Sequence, residues 1–87
     1  MAIKVFVTKH FEKSFERLPQ RIKKLAIKKD NLFRKDIFSP SLKTHRLKGK
    51  LKEFYSYRVN REYRLVFKIG EKDVVIYHDI GTHQLYR

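Results

Sequence analysis

Tyr55-Ser-Tyr-Arg-Val-Asn-Arg-Glu-Tyr-Arg-Leu-Val-Phe67 is the stretch whose reading decides the fold. Its apolar residues alternate, first as Tyr55, Tyr57 and Val59, then as Tyr63, Leu65 and Phe67, with Ile69 continuing the second set. A period of two marks a strand with one buried face, and two such runs separated by a few polar residues form an antiparallel hairpin. Placing both apolar sets on one face opposes Tyr57 to Leu65, which forces Arg58 opposite Arg64 on the other face. That register needs a three-residue loop, Asn60 to Glu62, with Asn60 or Arg61 accommodating a bulge. A two-residue Asn60-Arg61 turn sets Arg58 against Tyr63 instead. We take the three-residue loop as the expectation.

Working outward, short β-rich runs lie on both sides of the hairpin. One covers residues 45–48, before a Gly49-Lys50 turn, and another covers residues 74–80, after Gly70-Glu71-Lys72-Asp73. Strands at 54–59 and 62–69 complete a meander, because sequential strands joined by short turns pair antiparallel. Residues 37–44, with Ser39-Pro40-Ser41, show neither periodicity and read as a loop. Upstream the texture is helical. Thr8 can cap a helix whose Phe11, Phe15 and Leu18 fall on one side while Lys9, Glu12, Lys13 and Glu16 face water. Pro19 ends it and opens a second helix running to about Asp36, with Ile22, Leu25, Ala26, Leu32 and Phe33 at helical spacing. Lys29 interrupts that stripe, but its aliphatic stem can lie along the core edge. Residues 3–7, Ile-Lys-Val-Phe-Val, add a first strand. The expected fold is α+β in the order β-α-α-β-β-β-β, one domain over residues 1–87, with a helical hairpin covering one face of an antiparallel meander.

Composition narrows the function. Twenty-two Lys and Arg against nine Asp and Glu give a net charge of +13, which attracts a polyanion, nucleic acid foremost. A purely solubilising surface normally mixes both signs. No amphipathic helix offers a broad exposed apolar face, so a membrane partner is not expected. The absence of cysteine excludes disulfides, thiolate catalysis and Cys-ligated zinc. The apolar opening is too short for a signal peptide or a span, and a cytoplasmic protein is expected.

The chemistry-bearing residues cluster around the hairpin. Opposed arginines repel unless an anion lies between them, and a phosphodiester suits two guanidinium forks. The competing reading pairs one arginine with Glu62 or Asp79 and leaves the other in solvent. His45, His78 and His83 are candidate proton carriers. His78 alternates with Val74, Ile76 and Ile80 and reads as a buried or edge residue, whereas His83 follows Gly81-Thr82 where a loop can present it. His10 reads as surface. His45 precedes the basic segment Arg46-Leu47-Lys48-Gly49-Lys50 and either faces RNA or caps the loop. Tyr86 either stacks on a base or tethers the tail. There is no metal-ligand spacing, no Gly-rich phosphate loop and no nucleophile elbow, so no metal or cofactor is expected. RNA suits a nuclease of that kind, since its own 2′-hydroxyl attacks the neighbouring phosphate once a base takes the proton.

The order of elements, the Leu18-Pro19 junction, His45-Arg-Leu-Lys-Gly49, Tyr55-Ser-Tyr-Arg58-Val, Tyr63-Arg64-Leu-Val-Phe and the ending Ile80-Gly-Thr-His83-Gln-Leu-Tyr86-Arg87 together resemble the RelE/ParE toxin superfamily over nearly the whole chain. The His-x-Leu-x-Gly piece and the Gly-Thr-His ending are similar to RelE-like and YafQ-like mRNA interferases, although Arg58 stands where the YafQ-like branch tends to carry histidine. The resemblance implies a toxin of a type II toxin–antitoxin pair that binds the ribosome and its rRNA and cleaves mRNA by 2′-hydroxyl attack. It implies His83 as main acid or base, His45 as second proton carrier or phosphate contact, Arg58 and Arg64 as the transition-state clamp, Glu62 as an assistant in proton transfer, and Tyr86 as a stacking residue. Arg46, Lys48, Lys50 and Arg87 are expected to contact RNA. A cognate antitoxin is implied as partner. The alternative branch, ParE-like, inhibits DNA gyrase without cutting RNA.

Overall fold

The computed structural model describes residues 3–82. The elements follow as β1 (Lys4–Val7), α1 (Lys9–Glu16), α2 (Gln20–Lys35), β2 (His45–Arg46), β3 (Tyr55–Arg58), β4 (Tyr63–Ile69) and β5 (Val74–Thr82). They build a five-stranded sheet in the order β1-β5-β4-β3-β2, with β1 parallel to β5 and the other pairs antiparallel. The α+β class and element order match the expectation, and the added first strand makes the sheet mixed. No described helix is long and apolar enough to cross a membrane.

Local signals place the helices. Thr8 is the N-cap of α1, its hydroxyl accepting from the Phe11 amide at 3.0 Å. Pro19 precedes α2, and its carbonyl takes the amides of Ile22 and Lys23. The helical stripe then buries Ile22, Ala26 and Phe33 against the sheet, with Phe11 and Leu18 beside them. Phe33 is the centre of the core: its ring lies 4.8 Å from that of Tyr57 and 4.9 Å from that of Phe67. Leu42, in a 3₁₀ turn at Pro40–Leu42, is fully buried as well, so the stretch without periodicity supplies a core residue.

A polar chain crosses this core. The Tyr57 and Tyr77 hydroxyls are 3.2 Å apart, Tyr77 donates to Asp30 at 2.7 Å, and Arg34 donates to both oxygens of Asp30. Burial raises the pKa of both phenols, so each remains a neutral hydroxyl.

The β3–β4 register pairs Tyr57 with Leu65 and Arg58 with Arg64, as the apolar sets require. The loop Asn60 to Glu62 closes without a left-handed residue. Instead the Asn60 side-chain oxygen accepts from the amides of Glu62 at 2.9 Å and Tyr63 at 2.8 Å, standing in for missing backbone partners.

Two strands depart from expectation. β2 is only His45–Arg46 rather than 45–48, because Gly49 at φ 68° starts a 3₁₀ turn, Gly49–Leu51, that leaves the sheet. On β5 the register steps from Phe67↔Tyr77 to Val66↔Asp79, so His78 is the extra residue of a β-bulge. The bulge shifts the phase: Val75 and Tyr77 face the core, and so does Ile80. His78 therefore shares the outer side with Val74 and Ile76 but not with Ile80.

Candidate nucleic-acid interface

Residues that alternate with the core set project from the sheet's other face. The pairings lay them in rows: His45, Ser56, Val66 and Asp79 in one, and Arg58, Arg64 and Gly81 in the next. Directly opposed residues have Cβ atoms about 5 Å apart and diagonal neighbours lie about 7–8 Å apart. The fold thus brings His45, Arg58 and Arg64 into one patch.

Both guanidiniums are half-buried and held by the hairpin loop. Arg58 Nε donates to the Asn60 carbonyl at 3.2 Å, and Arg64 Nη1 donates to the same oxygen at 2.7 Å. Arg64 Nη1 also lies 3.2 Å from the Arg61 carbonyl. Among the described residues neither arginine has a carboxylate partner. Asp79 is bound elsewhere, by Ser14 Oγ at 2.7 Å and His10 Nε2 at 3.0 Å, and Glu62 is exposed on the loop. Loop carbonyls therefore orient the forks without neutralising them, and further N–H donors stay available to a phosphate.

His45 is exposed, and its Nδ1 donates to the Lys43 carbonyl at 2.9 Å. In the neutral ring that bond places the proton on Nδ1 and leaves Nε2 as a base. His83, Tyr86 and Arg87 lie outside the described residues.

The basic segment divides. Arg46 pairs with Tyr55 rather than with the open-face row, and its Nε donates to the Lys52 carbonyl at 2.7 Å, bracing the loop. It does not join the arginine pair. Lys48 and Lys50 are exposed on the turn that follows.

His78 sits edge-on to Phe54, with ring centres 5.0 Å apart. Burial first, then the nearby Lys68 and His10, push its pKa below the usual histidine range. His10, read from sequence as a surface residue, is exposed yet tied to Asp79 across the whole chain. No sequence spacing signals that contact, because it joins the first turn of α1 to the bulge of β5.

The family model described as "RelE-like toxin of type II toxin-antitoxin system HigB" matches residues 7–81. The chain belongs to this family of RelE-like toxins. Among solved structures it is similar to a YoeB/ParE toxin from Agrobacterium tumefaciens, with TM-score 0.79 and 19% identity over 93% of this chain and 99% of that one. It is equally similar to YafQ from E. coli, with TM-score 0.79 and 17% identity over 97% of each chain. The archaeal RelE–RelB complex from Pyrococcus horikoshii matches with TM-score 0.75 and 17% identity, over 94% of this chain and 96% of that one. These likenesses concern the fold. No curated protein matches the sequence.

Proposed function

We propose that this protein is a single-domain toxin that cleaves mRNA, on the ribosome, as a metal-independent endoribonuclease. The observation that carries the reading is the Arg58–Arg64 pair: two oriented guanidiniums on the open face, without a carboxylate partner among the described residues, in a chain of net charge +13. Such a pair suits one phosphodiester, and its fixed charge favours the dianionic transition state over the ground state.

In the proposed reaction a base takes the proton of the ribose 2′-hydroxyl, the 2′-oxygen bonds to phosphorus, and the bond to the 5′-oxygen breaks as an acid protonates that oxygen. The products are a 2′,3′-cyclic phosphate and a 5′-hydroxyl. His45, with Nε2 unprotonated, and His83 share the proton transfers. Glu62 assists, Tyr86 stacks on a base, and Arg46, Lys48, Lys50 and Arg87 add attraction to the RNA backbone. A cognate antitoxin is the natural partner. The E. coli DinJ–YafQ and Pyrococcus RelE–RelB structures are toxin–antitoxin complexes of the same fold.

Primer extension on a reporter mRNA after a brief expression pulse tests the proposal. Discrete new 5′ ends, lost in Arg64→Ala and His83→Ala, are expected. Intact mRNA alongside growth arrest overturns it and points to gyrase or another protein target.

A further inference from the structure

The open face carries a second feature beside the arginines. The 47–54 segment folds back, with the Leu47 amide bonded to the Phe54 carbonyl at 2.9 Å, and encloses a cleft of about 200 Å³. Leu47, Leu51, Phe54 and Val66 form its apolar walls, and His10, His78 and Asp79 form its polar end. Val66 lies two residues from Arg64 on the same face of β4, about 7 Å along the strand. The cleft's Val66 wall therefore lies one row from the arginine pair.

Its chemistry argues against a second phosphate. The walls are hydrocarbon and the charged group at the polar end is a carboxylate, which repels anions. That carboxylate is already occupied, accepting from His10, Ser14 and the Ile80 amide. What remains for a ligand is imidazole. His78 has no hydrogen bond to its ring among the described residues, and in its neutral form offers one donor and one acceptor. His10 donates Nε2–H to Asp79, which leaves Nδ1 of the neutral ring as an acceptor. A planar, uncharged heterocycle with N–H and carbonyl groups on its edge complements that set.

Size decides between a ring and something larger. Sites for drug-sized molecules run to about 300–1,000 Å³, so this cleft holds a single ring system and leaves sugar and phosphate outside. Single-stranded RNA is recognised in this manner, its bases splayed out and buried against apolar side chains.

We infer that the cleft between Phe54, Leu51 and His78 receives one unstacked nucleobase of the RNA strand whose phosphate Arg58 and Arg64 hold. The inference rests on the nuclease reading and adds to it a site that sets which nucleotide lies at the arginines. Base identity is then read through the two imidazoles rather than through charge.

The test measures binding of a short single-stranded RNA by fluorescence anisotropy, with an abasic ribose stepped through each position. One position is expected to weaken binding about 5- to 100-fold when its base is removed, in keeping with the burial of one base. Leu51→Trp, on the half-exposed 3₁₀ turn, fills the cleft and should abolish that position effect while the RNA still binds. His78→Ala, which leaves the cleft open, should reduce discrimination among the four bases at that position. An even abasic profile in wild type, with affinity that still depends on Arg58 and Arg64, overturns the base site and leaves the nuclease reading standing. Affinity unaffected by either arginine overturns both.

Discussion

Arg58 and Arg64, on neighbouring strands, donate to a single acceptor, the Asn60 carbonyl, at 3.2 and 2.7 Å. One oxygen thus sets the spacing of two like charges. Because these bonds are made at the loop surface rather than in the core, removing either side chain should alter activity far more than stability. Arg64→Ala is expected to lower the single-turnover rate of RNA cleavage about 10²–10³-fold, with a melting temperature close to wild type. Arg58→Ala should behave alike, and the double variant should lose less than the product of the two, since they act on one phosphate. Additive losses in that cycle speak against a shared site.

Asn60 holds the loop through its side chain. Asn60→Ala leaves the amides of Glu62 and Tyr63 without their acceptor and is expected to cost about 1–3 kcal/mol in urea denaturation. Asn60→Asp keeps an acceptor oxygen in place and should cost less. Equal losses from the two variants count against the side-chain oxygen as the fastening.

Leu42 and Phe38 come from the same irregular segment, but Leu42 is fully buried while Phe38 is 62% exposed. Leu42→Ala should destabilise by about 2–5 kcal/mol, and Phe38→Ser by less than about 0.5 kcal/mol. Denaturant midpoints for the pair decide whether this segment is part of the core.

The polar chain through the core predicts unequal losses. Tyr77→Phe removes the donor to Asp30 and also the partner of Tyr57, so a cost of about 1–3 kcal/mol is expected. Tyr57→Phe leaves the Tyr77–Asp30 bond intact and should cost about 1 kcal/mol. Thermal melts that rank the two in the opposite order contradict the chain as drawn.

His78 gives stability a pH dependence of known sign. Its pKa is lowered in the folded state by burial and by Lys68 and His10, so between that value and the unfolded value near 6.5 the unfolded chain binds more protons. Stability contributed by the neutral ring is present above that window and falls as pH drops through it. A plot of melting temperature between pH 7.5 and 5 should decline less steeply for His78→Gln than for wild type. Parallel curves assign the acid sensitivity to other groups.

Much of this was legible in the sequence because it is local. The cap at Thr8, the Leu18-Pro19 junction and the Tyr57↔Leu65 register each follow from residues near one another along the chain. That register alone sets Arg58 beside Arg64. What escaped is nonlocal. Leu42 is buried because tertiary packing reaches a segment with no period of its own, and the bulge at His78 breaks the alternation that a plain strand reading assumes. The His10–Asp79 contact and the cleft under residues 47–54 join parts of the chain that only folding brings together. Arg46 reads from sequence as part of the RNA-facing set; its place opposite Tyr55 and its bond to the Lys52 carbonyl, with the side chain still exposed, are likewise set by the folded loop rather than by any local pattern.

The parallel partner of β1 is β5, so residues 4–7 have no strand to join until residues 74–77 have been made. A growing chain halted before Val74 lacks the strand on which α1 and β1 rest, and Phe11 of α1 is without the Tyr77 ring it packs against. Synthesis is thus its own safety catch: the polypeptide should acquire its fold, and with it any harmful activity, only once β5 is free to pair. Ribosome-bound chains arrested ahead of Val74 should accordingly be cut by proteases that spare the finished protein.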